Sequence, residues 1–292
     1  MKLVRFNGGR VGVVRADRVV DVTEAAGIDP QAFPPVGTVR LIAEFDQLGP
    51  RLAAVQGEGV PIADVTLETP VAWPQKVIAL PGNFKEHREE MADAPPVLGA
   101  RGFFLKSPSA LSGAGEPIVL PEVPGREVHH ESELGIVIGR RGRHVSRKDA
   151  LEYVFGYACA LDITVRDMAV DRILRKSYDS FAPFGPWIVT ADEIGDPSEL
   201  GMKLWVGNDL RQSANMRDLI VDIPGMIAMA SSVMTLHPGD LIFSGTPAGV
   251  GPIVDGDTVT VEIERVGRMS VPVRQGHGGN NLAFQGLEHS QR

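Results

Sequence analysis

The sequence has a single cysteine, Cys159, among 292 residues, so a disulfide within the chain is impossible. Such chains are typical of reducing compartments. The opening residues, MKLVRFNGGR, lack the apolar core of a signal peptide. No apolar run approaches the roughly 18 residues that a membrane span needs. We therefore expect a cytoplasmic protein with no membrane partner.

Basic residues are fewer than acidic residues in this chain. The chain carries 29 Lys and Arg residues against 37 Asp and Glu residues, which gives a net charge of −8. A nucleic-acid-binding surface needs clustered positive charge, so we expect no nucleic-acid partner. Glycine (33 residues) and proline (22 residues) modestly exceed their usual share, which favours many turns and a β-rich fold.

Hydrophobic periodicity and turn residues divide the chain into parts. Residues 1–22 have the short runs of a β-meander, and residues 39–56 have helical spacing. The proline-punctuated segment LETPVAWPQK follows and is typical of a linker. We place a small N-terminal β/α module at residues 1–68, a larger domain at 69–278 and a tail at 279–292.

The larger part predicts a β-rich α+β fold. The predicted strands are 76–80, 134–139, 155–163 and 239–247, with a hairpin at 257–273. A helix is predicted at 146–154, where Ser146 and Asp149 nearly match a capping box, and another from about Ile223.

Two glutamates stand at the start of one of these strands, in the stretch HHESELGIVIGR. Because side chains alternate along a strand, Glu131 and Glu133 project to one side, and Ser132 and Leu134 to the other. Two partly buried like charges repel unless a cation lies between them. The pair is therefore either a solvated strand end or part of a site for Mg²⁺, Mn²⁺ or Ca²⁺, which hard oxygen ligands suit.

Asp162 offers a third carboxylate at the end of another apolar run, where an unpaired charge is costly. With the two glutamates and water molecules it completes a small octahedral metal site. The alternative is a structural role, as a helix N-cap or as the ion-pair partner of Arg166.

His87 and Glu90 are three residues apart, so on a helix they share one face. A carboxylate beside an imidazole orients the ring and raises its basicity, as a general base requires. The alternative is a surface helix of mixed charge. His129 and His130 precede the glutamates, but without soft ligands they do not predict zinc, and their role stays open.

Three further residues carry weaker signals. Lys176 stands between a charged stretch and an apolar strand. Thr246 lies in SGTPAGVG, a loop whose amides and hydroxyl suit a carboxylate. Cys159 is on an apolar strand, which indicates a core residue rather than a nucleophile.

Taken together, these motifs resemble the fumarylacetoacetate hydrolase family over roughly two-thirds of the chain. The shared patterns are N-F-x-x-H-x-x-E at 83–90, H-E-S-E-L-G-I-V-I-G at 130–139, G-Y-x-x-x-L-D-I-T-V-R-D at 156–167, K-S-Y-D-S-F-A-P-F-G-P-W at 176–187 and P-G-D-L-I-F-S-G-T-P-A-G-V-G at 238–251. Five motifs in the family's order are far more specific than any one of them.

The resemblance implies a mixed β-sandwich/roll fold, a homodimer and a small-molecule 2-oxo acid substrate that chelates Mg²⁺ or a similar cation. The residues that match the family's functional positions are the metal ligands Glu131, Glu133 and Asp162, the catalytic residues His87, Glu90 and Lys176, and the substrate-binding residues Arg166 and Thr246.

The activity implied is that of a metal-dependent hydrolase of aromatic catabolism. Such an enzyme cleaves a carbon–carbon bond in a 2,4-dioxo acid of the acylpyruvate or fumarylacetoacetate type, through a metal-stabilised enolate. One departure matters, because many hydrolytic members have a glutamine where this chain has Ala169. Two alternatives stay open: an isomerase or decarboxylase of a 2-hydroxymuconate-type diacid or oxaloacetate on the same site, and a non-catalytic protein that binds keto acids or metal.

Overall fold

The computed structural model describes residues 1–90, 102–167 and 169–277, so the predicted tail at 279–292 lies outside the described residues. The α-helices are α1 (Gly37–Ala43), α2 (Phe45–Ala54), α3 (Lys85–Glu90), α4 (Arg172–Lys176), α5 (Ala191–Ile194) and α6 (Ile223–Val233). Single 3₁₀ turns cover Ile62–Asp64, Pro108–Ala110, Ala150–Tyr153, Pro197–Glu199 and Met216–Asp218. No helix in these described ranges is long and apolar enough to cross a membrane.

Strands carry most of the regular structure, which confirms the predicted β-rich α+β class. The first half of the chain forms β1 (Lys2–Phe6), β2 (Arg10–Arg15), β3 (Arg18–Asp21), β4 (Val60–Pro61), β5 (Leu67–Glu68), β6 (Val77–Ala79), β7 (Phe104–Lys106), β8 (Leu111–Ser112), β9 (Ile118–Leu120) and β10 (Val128–His130). The second half forms β11 (Ser132–Ile138), β12 (Val154–Leu161), β13 (Thr164–Val165), β14 (Ala182–Thr190), β15 (Gly201–Val206), β16 (Asp209–Asn215), β17 (Leu241–Phe243), β18 (Gly251–Pro252), β19 (Thr258–Ile263) and β20 (Gly267–Gln275).

A twelve-stranded sheet forms the centre of the fold. Its order is β4-β3-β2-β1-β14-β12-β11-β17-β6-β7, with β5 beside β1 and β8 beside β14. The middle strands β11 and β12 are antiparallel, and every residue in both is buried. Burial of both faces explains why their sequences are nearly continuous apolar runs. The start of β11 lies beside the end of β12, and this end of the pair carries the candidate site.

Two smaller sheets complete the architecture. One has the order β16-β15-β19-β20-β9, and the other has the order β13-β10-β18. The predicted hairpin is formed by β19 and β20, with Thr258 opposite Pro272 and Ile263 opposite Gly267. These several sheets agree with the mixed β-sandwich/roll fold that the family resemblance implies.

The N-terminal strands continue the central sheet. β1 pairs antiparallel with β14, with Lys2 opposite Val189 and Leu3 opposite Ile188. The predicted linker is partly packed, because residues 69–71 are buried. The division into a module and a domain stays a prediction.

The helical spacing at 39–56 is confirmed, but it forms two helices, α1 and α2, rather than one continuous helix. The chain leaves helical geometry at Glu44, where φ is −107° and ψ is 14°. α1 buries Leu41 and α2 buries Leu52, so the break lets each helix turn its own apolar face to the core.

The helix predicted at 146–154 is wrong. The Ser146 hydroxyl does donate to Asp149 Oδ2 over 2.8 Å, but only a single 3₁₀ turn follows. Val154 pairs with Ile138 as the first residue of β12. The register of the sheet therefore overrides the local helical pattern.

Candidate active site

Three buried carboxylates meet where β11 begins and β12 ends. Glu131 precedes β11, Glu133 is its second residue and Asp162 directly follows β12. The register pairs Ser132 with Leu161 in antiparallel strands. Glu131, one residue before Ser132, therefore lies opposite Asp162, one residue after Leu161. The Asp162 N–H accordingly donates to the Glu131 carbonyl over 2.9 Å. One oxygen from each carboxylate lies within 4.8 Å of the others, so the structure brings the three predicted metal ligands together.

Lys176 lies among these carboxylates. It is the last residue of α4 and is buried. Its ammonium donates to Glu131 Oε2 over 2.8 Å, to Asp162 Oδ2 over 2.6 Å and to Thr164 Oγ1 over 2.6 Å. All three protons of the ammonium therefore have an oxygen partner, which holds the predicted catalytic lysine in one position.

Lys106 is a second buried lysine at the same carboxylate. From the end of β7 it donates to Asp162 Oδ1 and, over 2.9 Å, to the Phe181 carbonyl. Burial lowers the pKa of Lys106, although the Asp162 charge opposes that shift. Lys106 is not predictable as a site residue, since a lysine at the end of the short run FFLK gives no local sign of burial.

The two glutamates differ in their cationic partners. Burial raises the pKa of Glu131, but the charges of Lys176 and Arg166 outweigh burial and hold it well below its ordinary range. The guanidinium of Arg166 donates to Glu131 Oε1 over 2.8 Å. Glu131 is therefore a stable anion even without a metal ion.

Glu133 has a less favourable environment. Burial raises the pKa of Glu133 well above its ordinary value, and the neighbouring charges of Asp162 and Glu131 raise it further. Within the described ranges, no Lys or Arg forms an ion pair with it, and its hydrogen-bond donor is the Gly245 N–H, 2.6 Å from Oε2. A divalent cation held by the three carboxylates would supply the missing positive charge. The donor set thus fits Mg²⁺, Mn²⁺ or Ca²⁺.

Arg166 is oriented from its other side by a histidine. The Arg166 Nε–H donates to His129 Nδ1 over 3.1 Å, so the remaining ring proton of a neutral His129 is on Nε2. That nitrogen lies 2.8 Å from Glu127 Oε2. Burial lowers the pKa of His129, which favours this neutral form. The ion pair between Arg166 and Asp162, an alternative to a metal site, is therefore replaced by a pair between Arg166 and Glu131.

His87 and Glu90 form the predicted contact on one face of α3. His87 Nδ1 lies 2.9 Å from Glu90 Oε2, and the ring is buried while the carboxylate is partly exposed. Glu90 Oε1 also accepts the Gly249 N–H over 3.3 Å. His87 is near enough to Glu131 that a proton gained by the imidazole would lower the pKa of that carboxyl. The pair therefore lies close to the carboxylate cluster.

The glycine-rich loop after β17 borders the site, where the Gly245 N–H contacts Glu133. Gly245 has φ +89°, and a Cβ there would lie 2.6 Å from Asn83 Cβ, so only glycine fits. The Asn83 amide donates to the Ser244 carbonyl over 2.8 Å and holds the loop from behind. Thr246, the predicted substrate contact, follows directly and is buried.

Cys159 lies in the core, which confirms the prediction for it. The thiol is fully buried on β12, and burial raises its pKa to about 12. A thiol of that kind is neither a nucleophile nor a metal ligand at neutral pH.

Comparison with known proteins places the chain among enzymes. The family model described as fumarylacetoacetate (FAA) hydrolase, C-terminal, matches residues 76–274. The maleylpyruvate hydrolase of Aquipseudomonas alcaligenes is 45% identical over 287 residues, which cover 94% of this chain and 99% of that protein.

Solved structures with the same fold include hydrolases and isomerases. The maleylpyruvate hydrolase of Sphingobium sp. SYK-6, in complex with manganese(II) and pyruvate, is 54% identical with a TM-score of 0.87, covering 95% of this chain and 100% of that one. The 2-hydroxyhepta-2,4-diene-1,7-dioate isomerase of Mycobacterium marinum is 32% identical with a TM-score of 0.72, covering 95% and 100%. The chain belongs to the fumarylacetoacetate hydrolase family.

Proposed function

We propose that the protein is a metal-dependent hydrolase that cleaves a carbon–carbon bond in an acylpyruvate, with maleylpyruvate as the first candidate substrate. The observation that carries the proposal is the cluster of three buried carboxylates with the His87–Glu90 pair beside it. The maleylpyruvate hydrolases at 45% and 54% identity support the substrate class.

Glu131, Glu133 and Asp162 would hold the divalent cation. Bound there, the cation supplies Lewis acidity towards the keto oxygen and the carboxylate of a 2-oxo acid. Three formal positive charges, from Lys106, Lys176 and Arg166, already balance the cluster of three carboxylates, although their ion pairs are with Glu131 and Asp162 alone. The surplus positive charge after metal binding therefore suits a substrate that brings a carboxylate and develops a second negative charge.

His87 is the proposed general base. Glu90 accepts the proton on Nδ1, which leaves Nε2 as the basic nitrogen. That nitrogen takes a proton from water as the water oxygen bonds to the distal carbonyl carbon. The bond between that carbon and its neighbour breaks, and the electron pair passes into the enolate of pyruvate. Lys176 and Arg166 stabilise this negative charge. The proton held by His87 then passes to the enolate carbon, which gives pyruvate and restores the neutral imidazole.

A second candidate is isomerisation or decarboxylation on the same site. Ala169 stands where many hydrolytic members have a glutamine, and it is exposed with its N–H bound to Asp167 Oδ1 over 2.9 Å. A hydrolytic reaction at this site must therefore orient the attacking water without a glutamine side chain at this position. The isomerase from Mycobacterium marinum supports this alternative.

Product analysis separates the candidates. The Mn²⁺-loaded and Mg²⁺-loaded protein is offered maleylpyruvate, oxaloacetate and 2-hydroxyhepta-2,4-diene-1,7-dioate, and products are followed by NMR in ¹⁸O-labelled water. A hydrolase releases pyruvate from maleylpyruvate and places one ¹⁸O in the second acid. Consumption of the diene diacid alone would replace the hydrolase with an isomerase. No turnover of any of the three would favour a non-catalytic binding protein.

The metal and the assembly complete the proposal. Mn²⁺ is supported by the Sphingobium complex, and Mg²⁺ by the all-oxygen donor set. We also propose a cytoplasmic homodimer, as the family resemblance and the single cysteine suggest. Metal analysis after purification without added ions tests the first point, and light scattering tests the dimer.

A further inference from the structure

Gln212 connects three parts of the chain behind the candidate site. It lies on β16, most of which is exposed, yet only 1% of Gln212 is accessible. Its Oε1 accepts the Ser132 N–H over 2.9 Å and lies 3.4 Å from His130 Nδ1. Its Nε2 donates to Thr246 Oγ1 and to the Pro247 carbonyl, both over 2.8 Å.

These partners permit only one orientation of the Gln212 amide. The Ser132 N–H can only donate, so the atom facing it must be the amide oxygen. The Pro247 carbonyl can only accept, so the atom facing it must be the amide nitrogen. Because both ends are determined by backbone groups, a flipped amide would lose two buried hydrogen bonds.

The orientation of Gln212 determines what the Thr246 hydroxyl can do. Since the oxygen of this hydroxyl accepts a proton from Gln212, its own proton is available for a different partner. No acceptor for that proton is found among the described residues. The preceding residue, Gly245, donates to Glu133, so the threonine lies next to the carboxylate cluster.

We propose that Gln212 is a positioning residue that fixes the Thr246 hydroxyl as a donor and thereby selects ligands with an acceptor-only oxygen, such as a carboxylate, over ligands with an N–H at that place. The inference rests on the proposed function for its ligand class, 2-oxo acids bound beside a metal ion. Gln212, although 34 residues from Thr246 in sequence, thus determines whether the site prefers a carboxylate or an amide ligand.

Two small ligands test this choice without turnover. Oxalate presents two carboxylates, whereas oxamate replaces one carboxylate by an amide with N–H donors. Titration calorimetry on the Mn²⁺-loaded protein measures both dissociation constants, and a separate titration measures Mn²⁺ itself. The wild type is expected to prefer oxalate.

Gln212→Glu reverses the hydrogen bond without changing the shape of the side chain. The new carboxylate accepts the Thr246 proton, which leaves the hydroxyl as an acceptor towards the ligand. We expect oxalate affinity to fall roughly tenfold to a hundredfold, as for a lost hydrogen bond to a charged group, and the oxalate-to-oxamate ratio to fall with it. Gln212→Met carries no charge, lets the hydroxyl rotate, and should also lower the ratio.

The control is Gln56→Glu, because Gln56 is exposed and, among the residues that the structure describes, its side chain bonds only to the Ala54 carbonyl. Thr246→Val adds a double-mutant cycle: combined with Gln212→Glu, it should lower oxalate affinity little further. Unchanged ligand ratios in both Gln212 variants would overturn the inference. A parallel loss of Mn²⁺ affinity would also overturn it, since that indicates a merely structural role.

The outcomes for the proposed function are separate. A wild type that prefers oxalate but turns over no acylpyruvate refutes the hydrolase and leaves the Gln212 comparison decisive. A wild type that binds neither ligand in the presence of Mn²⁺ overturns both.

Discussion

Lys106 and Lys176 bind different oxygens of one carboxylate, Asp162. Lys176 donates to Oδ2 over 2.6 Å and Lys106 donates to Oδ1, and all three side chains are buried. Both oxygens of a candidate metal ligand are thus already hydrogen-bonded, which restricts rotation of the carboxylate before a metal ion binds.

Lys106→Met is expected to lower the free energy of unfolding by about 1.5–3 kcal/mol, because Asp162 loses one buried charged hydrogen bond but keeps the one from Lys176. It should also tighten Mn²⁺ binding, because a positive charge beside the cation is lost. Urea unfolding and Mn²⁺ titration measure the two effects. Lys148→Met is the control, since Lys148 is exposed. A loss below about 1 kcal/mol would show that the pair contributes little.

Glu133→Gln should abolish the stabilisation that metal gives the wild type. Ligands that bind only the native state raise the unfolding temperature, so thermal scans with and without Mn²⁺ report the loss. The metal-free variant should be at least as stable as the metal-free wild type, because the introduced amide places no negative charge beside Asp162 and Glu131. An undiminished Mn²⁺ shift in this variant contradicts the role of Glu133 as a ligand.

The same variant isolates a pH effect. The pKa of Glu133 is raised in the folded protein above the ordinary value of 4.5. At pH values between the ordinary pKa and the raised pKa, the folded state keeps a proton that the unfolded state has released. The stability of the folded state therefore falls as pH rises through this range. Without metal, the wild type should therefore lose stability relative to Glu133→Gln as pH increases above about 4.5. A difference that grows in the opposite direction would contradict the raised pKa.

Gly245→Ala should disturb the contact with Glu133. Gly245 and Gly256 share φ +89°, so alanine strains the backbone equally at both positions. At Gly245 the added Cβ would clash with Asn83 Cβ at 2.6 Å. At Gly256 no atom lies within 4 Å of the added Cβ. We expect Gly256→Ala to cost about 1 kcal/mol and Gly245→Ala to cost more and to weaken Mn²⁺ binding. Equal effects of both substitutions in unfolding and metal titration would count against the proposed role of the loop.

His87→Ala should lower turnover of maleylpyruvate roughly 10²- to 10⁴-fold, the usual contribution of a general base. Mn²⁺ affinity should stay nearly unchanged, because the imidazole is not among the three ligand side chains. His277→Ala serves as the control, since His277 is exposed. Loss of Mn²⁺ binding in His87→Ala would place the imidazole on the metal instead.

The carboxylate cluster was predictable because its geometry follows from local rules. Alternation along a strand puts Glu131 and Glu133 on one side, and the end of a second apolar run brings Asp162 to them. His87 and Glu90 share a face of α3 for an equally local reason, the spacing of three residues on a helix.

Lys106 and Gln212 were not predictable because their partners are distant in sequence. Lys106 lies 56 residues from Asp162, and Gln212 lies 34 residues from Thr246. Their burial results from the packing of β7 and β16 into the fold, which no pattern within either strand reports. The helix predicted at 146–154 failed for a related reason, since strand pairing determined the conformation of Val154.

The pairing of β1 with β14 has a consequence for any shortened form of the protein. β1 covers the outer N–H and C=O groups of β14 at Ile188 and Val189, and β14 lies next to β12. A chain that lacks residues 1–68 would leave these groups open at a sheet edge, a ready template for another molecule. β1 thus protects the edge of β14 from edge-to-edge aggregation. Removal of β1 should cause self-association that is measurable independently of any catalytic defect.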